Sequence, residues 1–303
     1  MNSYHTPVLL NESVSALEIE KNRDGVFVDA TLGGGGHSRE IISRLGKNGR
    51  LIVFDKDSDA IANAPKDNRV ITIHNDFRFM SNLLKYHGFE YVNGVLADLG
   101  VSSHQFDVGE RGFSFRFDSR LDMRMNQKSD KDAVQILNSY NENELATIFK
   151  KWGEAENSHK AARLIEQYRR NSGQIDTTQD LHEALKPVMP RYSENKWLAK
   201  IYQALRIEVN GEMESLEGLL NSIAKVLLPG GVASIITYHS LEDRMVKNFF
   251  RSGNIDGKIE KNIYGVATQQ WAEKLNKVVK PSESELDSNS RSRSAKLRVA
   301  IKS

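Results

Sequence analysis

The feature that most constrains this chain is a strand, a glycine-rich loop and a second strand close to its start. Val26-Phe27-Val28-Asp29-Ala30-Thr31 reads as a strand, and Leu32-Gly33-Gly34-Gly35-Gly36-His37 as the loop. After a helical run, Arg50-Leu51-Ile52-Val53-Phe54-Asp55 reads as the next strand. Four consecutive glycines permit a tight turn and a close approach of backbone to ligand, because no Cβ stands between them. An acid closes the second strand about 20 residues beyond the loop, where a carboxylate reaches ribose hydroxyls in α/β folds. The unit therefore predicts a nucleoside-bearing ligand at the front of a parallel sheet. Its spacing is not G-x-G-x-x-G and no G-K-[ST] follows, which excludes a P-loop and argues against a dinucleotide.

The alternation continues. Val70–His74 and Val92–Asp98 read as strands, with helical patterns at Ser38–Leu45, Ser58–Ala64 and Phe79–His87. Such alternation predicts a parallel sheet covered on both faces. From about Gly109 to Arg206 the strand pattern stops. Asp132–Asn138, Glu142–Trp152, Ser158–Arg170 and Leu181–Lys186 have helical periodicity, and Thr177 with Asp180 reads as a capping box in which Asp replaces the usual Glu. Glu212–Leu227 is an amphipathic helix pattern stopped by Pro229-Gly230-Gly231. Val232–Thr237 is a buried strand, Leu241–Phe250 a helix and Leu297–Ile301 a last strand, while Pro281–Arg293 reads as a mobile loop. The expected architecture is an α/β domain built from residues 1–108 and 207–303, with an all-helical domain, 109–206, inserted.

Composition narrows the chemistry. In 303 residues with 39% hydrophobic content there is apolar mass for a sizeable core, and a formal charge of only +2 means that any nucleic-acid site must be a local cluster. The chain has no cysteine, so disulfides and cysteine-held zinc are excluded; eight histidines include no H-x-x-x-H pair, and no metal is expected. No apolar run reaches transmembrane length and the start is not of signal-peptide type, so a soluble cytoplasmic protein is expected. His239-Ser240 lacks a G-x-S-x-G elbow and adjacent residues at a strand end point apart, which removes a serine hydrolase.

The candidate site residues follow the strand ends. Asp55 offers two acceptor oxygens to a ribose diol, its competing role being a cap on the next helix. His37 opens the helix after the loop and is either a cofactor contact or a polar first-turn residue. Phe77, after the third strand, is either core or a stacking partner for adenine. Asp98, at the end of the fourth strand, lies where ligands of open α/β sheets bind and faces the reactive end of a cofactor. Arg111-Gly112-Phe113-Ser114-Phe115-Arg116-Phe117 interleaves basic and aromatic residues, a pattern that stacks on unpaired bases and holds phosphate. By periodicity alone, packing of this loop beneath the helical domain ranks ahead of that. The basic run Arg291–Arg298 is either a solvated surface or a phosphate site.

Taken together these stretches resemble the RsmH (MraW) family, S-adenosylmethionine-dependent enzymes that methylate N4 of a cytidine in 16S ribosomal RNA of the small subunit. The matching segments are His5–Leu10, Asp29–Ser38, Asp98–Ser103, Glu110–Phe115, Leu121–Met125, Gln203–Asn210, His239–Arg244 and Arg291–Arg298, in family order from one end to the other. The resemblance implies a Rossmann-like class I methyltransferase fold with a helical insertion. It implies that Gly34, Gly35, Gly36 and His37 meet the methionine end of S-adenosyl-L-methionine, Asp55 its ribose and Phe77 its adenine side, with Asp98 and Gln105 as further cofactor positions. The chain departs from the family pattern at His104, Phe106, Trp152–Asn157 and Asn195–Lys200.

A cytosine amine is a poor nucleophile because its lone pair is delocalised into the ring. A carboxylate or carbonyl accepting a hydrogen bond from that amine would localise the lone pair and guide the departing proton. Asp98 is the first candidate for that role, in competition with holding the cofactor's amino group, and His239 the second. The base must leave its stack to be reached, and Arg111, Phe113, Phe115, Arg291 and Arg293 are the candidate RNA contacts. A nicotinamide dehydrogenase, a protein or DNA methyltransferase and a non-catalytic RNA-binding module are the alternatives. Homodimerisation through the inserted helices is compatible with the sequence.

Overall fold

The structure is a computed structural model that describes residues 7–259, 261, 271–273 and 278–303. The chain divides into two compact units, one made of residues 1–100 with 213–303, the other of Val101–Glu212.

In the first unit seven strands form one sheet: β1 (Val26–Asp29), β2 (Arg50–Asp55), β3 (Val70–His74), β4 (Val92–Asp98), β5 (Leu227–Thr237), β6 (Trp271–Glu273) and β7 (Lys296–Lys302). Their order is β3-β2-β1-β4-β5-β7-β6. β1 to β5 run parallel, and β7 is antiparallel to both β5 and β6. This is the Rossmann-like α/β arrangement that the alternation predicts. Leu51, Ile52, Val53 and Phe54 are all fully buried, as a parallel strand covered on both faces requires. Each such side chain contributes about 1.5–3 kcal/mol on leaving water. The strand order reverses between β1 and β4, which opens a crevice at their carboxyl ends, the place where such sheets bind ligands. The helices Gly36–Arg44, Ser58–Ile61 and Met80–Tyr86 carry the chain between the first four strands.

Two local expectations are corrected here. Pro229-Gly230-Gly231 does not separate helix from strand: the helix ends at Val226 and β5 begins at Leu227. The strand absorbs the three residues in a bulge, since Val92 pairs with Leu227 but Gly94 with Val232, and Gly230 takes φ +77°. Nor is Pro281–Arg293 an irregular loop. It holds a helix, Glu283–Ser288, and a 3-10 turn, Ser290–Ser294, each started by a side-chain cap, from Ser282 and from Asn289.

The second unit is helical: Ser103–Asp107, Ala133–Ser139, Glu142–Lys151, Ser158–Ser172, Thr178–Leu185 and Glu194–Asn210. Thr177 and Asp180 form the expected capping box, and Asp132 with Gln135 and Asn141 with Glu144 form two more. Leu137, Leu145, Phe149, Ile165, Leu181 and Leu205 are among its fully buried residues. The unit is wider than the expected 109–206. The capped helix at Ser103 belongs to it, and the last helix runs unbroken to Asn210 before Gly211 ends it at φ +57°. Among the described residues no helix is long and apolar enough to cross a membrane.

Candidate active site at the carboxyl edge of the sheet

Three of the parallel strands end in aspartate: Asp29 on β1, Asp55 on β2 and Asp98 on β4. Strand periodicity buries the residues before them and delivers each carboxyl group to the same edge, around the glycine loop.

Asp29 braces that loop from below. Its Oδ1 accepts from the Thr31 N–H at 3.1 Å and its Oδ2 from the Ser38 hydroxyl at 2.5 Å. Burial pushes its carboxyl up to about 6, although His37, Ser38 and Thr31 all pull it down. Sequence reading gave this residue no role of its own. The signal was present, since Asp29 holds the strand-end position that singled out Asp55 and Asp98.

The loop itself is held at several points. Gly33 N–H donates to Asp55 Oδ2 at 2.9 Å, Asn63 Nδ2 to the Gly33 carbonyl at 3.1 Å, and Arg39 Nη2 to the Gly34 carbonyl at 2.7 Å. Gly35 sits at φ +74° at the entry of the helix Gly36–Arg44. A Cβ on Gly36 would lie 2.0 Å from the Pro7 ring, so only glycine fits there.

Asp55 does not cap the following helix; Asp57 does that, accepting from Asp59 N–H. Asp55 instead accepts from the N–H groups of Gly33 and Asp57, which lower its raised pKa against the effect of burial. A carboxylate accepts about four hydrogen bonds, so acceptor capacity remains for a diol. Phe77 is half-buried rather than in the core, and opens a 3-10 turn after β3 whose N-cap is Asp76.

His37 is buried, and its Nε2 lies 3.1 Å from the Val8 carbonyl. A carbonyl only accepts, so Nε2 carries the proton. Burial lowers the pKa of the ring and keeps it neutral, which leaves a lone pair on Nδ1, 3.9 Å from Asp98 Oδ2. Asp98 Oδ1 accepts from the Tyr238 hydroxyl at 2.7 Å, and its N–H donates to Thr31 Oγ1 at 2.6 Å. Burial, reinforced by Glu242 and Glu285, pushes the Asp98 carboxyl up to about 7 despite the Tyr238 hydrogen bond. The Asp98 carboxyl and the His37 Nδ1 lone pair thus face each other at the sheet edge.

His239 caps the helix Ser240–Ser252. Its Nδ1 accepts from Glu242 N–H at 3.4 Å and its Nε2 lies 3.1 Å from Glu242 Oε1. Nδ1 is thus committed to the cap, whereas the buried Nε2, though close to Glu242, makes no hydrogen bond among the described residues.

The sequence model of the MraW methylase family matches residues 2–303. The chain belongs to that family. Curated relatives include ribosomal RNA small subunit methyltransferase H of Bacteroides thetaiotaomicron, 51% identical over 99% of this chain and 98% of the relative. The protein of the same name from Flavobacterium johnsoniae is 49% identical over 99% and 98%. Among solved structures, an rRNA methylase from Streptococcus thermophilus aligns over 97% of this chain and 93% of that one, at 11% identity and a TM-score of 0.39.

Of the remaining candidates, Gln105, Arg111, Phe113 and Phe115 belong to the second unit and the basic run to the first. Of the family segment His5–Leu10, His5 and Thr6 lie outside the described residues. Gln105 is in the second unit, buried, where its side chain closes the capping box with Ser102. Arg111 and Phe113 are 7% and 4% exposed. The Arg111 guanidinium donates to the carbonyls of Arg124 and Met125 and lies over the Phe113 ring. Those two residues brace a loop, as the packing reading ranked first, and in this conformation neither is presented to RNA. Phe115 is half-buried, edge-on to Tyr202. In the basic run, Lys296 and Arg298 are paired with Asp243 at 3.0 and 2.7 Å, whereas Arg293 is exposed and Arg291 half-buried. The departures at Trp152 and Trp197 are absorbed by packing: their indole N–H groups donate to Glu208 and to the Glu156 carbonyl, each at 3.0 Å.

Proposed function

We propose that this chain transfers a methyl group from S-adenosylmethionine to the N4 amino group of a cytidine in 16S ribosomal RNA, in the cytoplasm and on the small subunit or its precursor. The observation that supports the cofactor assignment is the placement at the sheet edge of the Asp98 carboxyl 3.9 Å from Nδ1 of His37, whose Nε2 is turned to the Val8 carbonyl. Together they suit an ammonium group. The residues present fit the rest of the molecule as well. Asp55 would hold the ribose diol, the Gly34–His37 backbone the methionine portion, and the half-buried Phe77 the adenine side. Gln105 is kept as a further cofactor contact from the sequence resemblance.

When bound, the cofactor supplies a methyl group already activated on a sulfonium. The chain's own residues then orient and exclude. Glycine at 33–36 brings the backbone close, and a fixed alignment of amine and methyl lowers the barrier by removing orientational freedom. The target base must be taken from its stack, at a cost of a few kcal/mol, and Arg291 and Arg293 are the proposed phosphate contacts that offset it. We assign Asp98 to the ammonium group. Were it instead to polarise the cytosine amine, Asp98→Asn would abolish turnover and leave cofactor affinity intact. The direct test is transfer of a labelled methyl group to small subunits that lack the modification, followed by nucleoside analysis. Label in N4-methylcytidine is expected; label in protein, or in another nucleoside, overturns the assignment.

A further inference from the structure

We infer that Glu285 is a positioning residue for the glycine-loop site: by holding the Leu9 N–H, it fixes the Val8 carbonyl that orients the His37 imidazole. The evidence is a chain of contacts inside the first unit. Glu285 Oε1 accepts from Leu9 N–H at 2.9 Å, joining residues 276 apart in sequence. Leu9 is buried and adopts φ 50°, ψ 37°, a left-handed conformation that a branched side chain disfavours, and no side chain of its own caps the helix it precedes. The strap of Pro7, Val8 and Leu9 therefore needs an external hold. What it does once held is specific: Pro7 lies against Gly36, and the Val8 carbonyl accepts a hydrogen bond from His37 Nε2–H at 3.1 Å. That bond selects one tautomer and turns the Nδ1 lone pair toward Asp98. Glu285 is itself seated, its N–H donating to Ser282 Oγ at 3.2 Å and its carbonyl accepting from Asn289 at 2.7 Å. The acid-rich segment before the basic run thus reaches back to the start of the chain and sets the proton on a ring at the site.

What this does for a ligand rests on the cofactor reading above; what it does to His37 does not. The test uses the full chain as wild type, Glu285→Ala and Glu285→Gln. Three readouts are taken: amide exchange at Leu9, imidazole nitrogen shifts of His37 without ligand, and calorimetric affinity for S-adenosylhomocysteine. Glu285→Ala is expected to deprotect Leu9, to convert His37 from a single Nε2–H tautomer to a mixture, and to weaken binding about tenfold. Glu285→Gln keeps a side-chain carbonyl acceptor and is expected within about twofold of wild type. A His37 that stays wholly Nε2–H in Glu285→Ala overturns the inference, as does a Glu285→Gln variant as defective as the alanine. If wild type fails to bind S-adenosylhomocysteine while the His37 shift occurs, the cofactor reading falls and the role of Glu285 stands.

Discussion

Replacing Asp98 by asparagine should make the ligand-free protein more stable, with a characteristic pH dependence. Burial raises the Asp98 carboxyl from 3.8 to about 7. The folded chain therefore keeps a proton that the unfolded chain loses, and stability falls as pH rises from about 4 through 7. Roughly three pKa units at 1.36 kcal/mol each give about 4 kcal/mol. The Asp98 side chain is 24% exposed, so solvent screening reduces this to about 2–3 kcal/mol above pH 8. Asparagine does not ionise, and it keeps the local bonds: its Oδ1 still accepts from Tyr238, and its amide faces the His37 lone pair. At about 2–4 °C per kcal/mol for a chain of this class, Asp98→Asn should raise the unfolding midpoint by about 5–10 °C at pH 8. The gain should shrink steadily toward pH 4, and the same variant should lose affinity for S-adenosylhomocysteine. Thermal unfolding of both proteins across this range is the assay. A variant less stable than wild type at pH 8, or a gain independent of pH, would refute the reasoning.

Three further outcomes follow from the contacts. Gly36→Ala must displace the Pro7 ring, 2.0 Å from the new methyl, and should weaken S-adenosylhomocysteine binding by at least about tenfold; unchanged calorimetry would mean that the loop is not the ligand cradle. Phe113→Ala should cost about 3–5 kcal/mol of stability by opening a cavity. Wild-type denaturation with selective loss of RNA binding would instead return Phe113 to a stacking role. Arg293→Ala should lower RNA affinity and reduce its salt slope by about 1 without changing cofactor affinity; an unaltered slope would take Arg293 out of the interface.

What was legible in the sequence was local. Strand ends at Asp55 and Asp98 follow from short apolar runs, and the Thr177–Asp180 box from spacing alone, whereas the first strand, read to Thr31, stops at Asp29. The bulge at Pro229–Gly231 was not, because Pro and Gly read as a stop unless the partner strand is known, and the partner here is β4. Trp271–Glu273 is too short to stand out; it is placed by Trp271, buried against Phe249 and Phe250. The bonds that give the site its chemistry join residues far apart, Tyr238 to Asp98 and Glu285 to Leu9. No periodicity encodes these, and a polar stretch such as Pro281–Arg293 reads as loop when its order comes from caps and from a distant backbone amide. For the same reason Arg111 and Phe113 carry an RNA-binding pattern while their side chains serve packing.

The assignment of the sheet edge to a cationic cofactor is tested most directly by counting protons. Calorimetric titration with S-adenosylhomocysteine in buffers of different ionisation enthalpy gives the protons exchanged on binding. With Asp98 at about 7 in the free protein, an ammonium group drawn beside it forces ionisation. The account predicts release of about 0.9 proton at pH 6, falling to about 0.1 at pH 8. Binding with no release at pH 6, or with uptake, would contradict it.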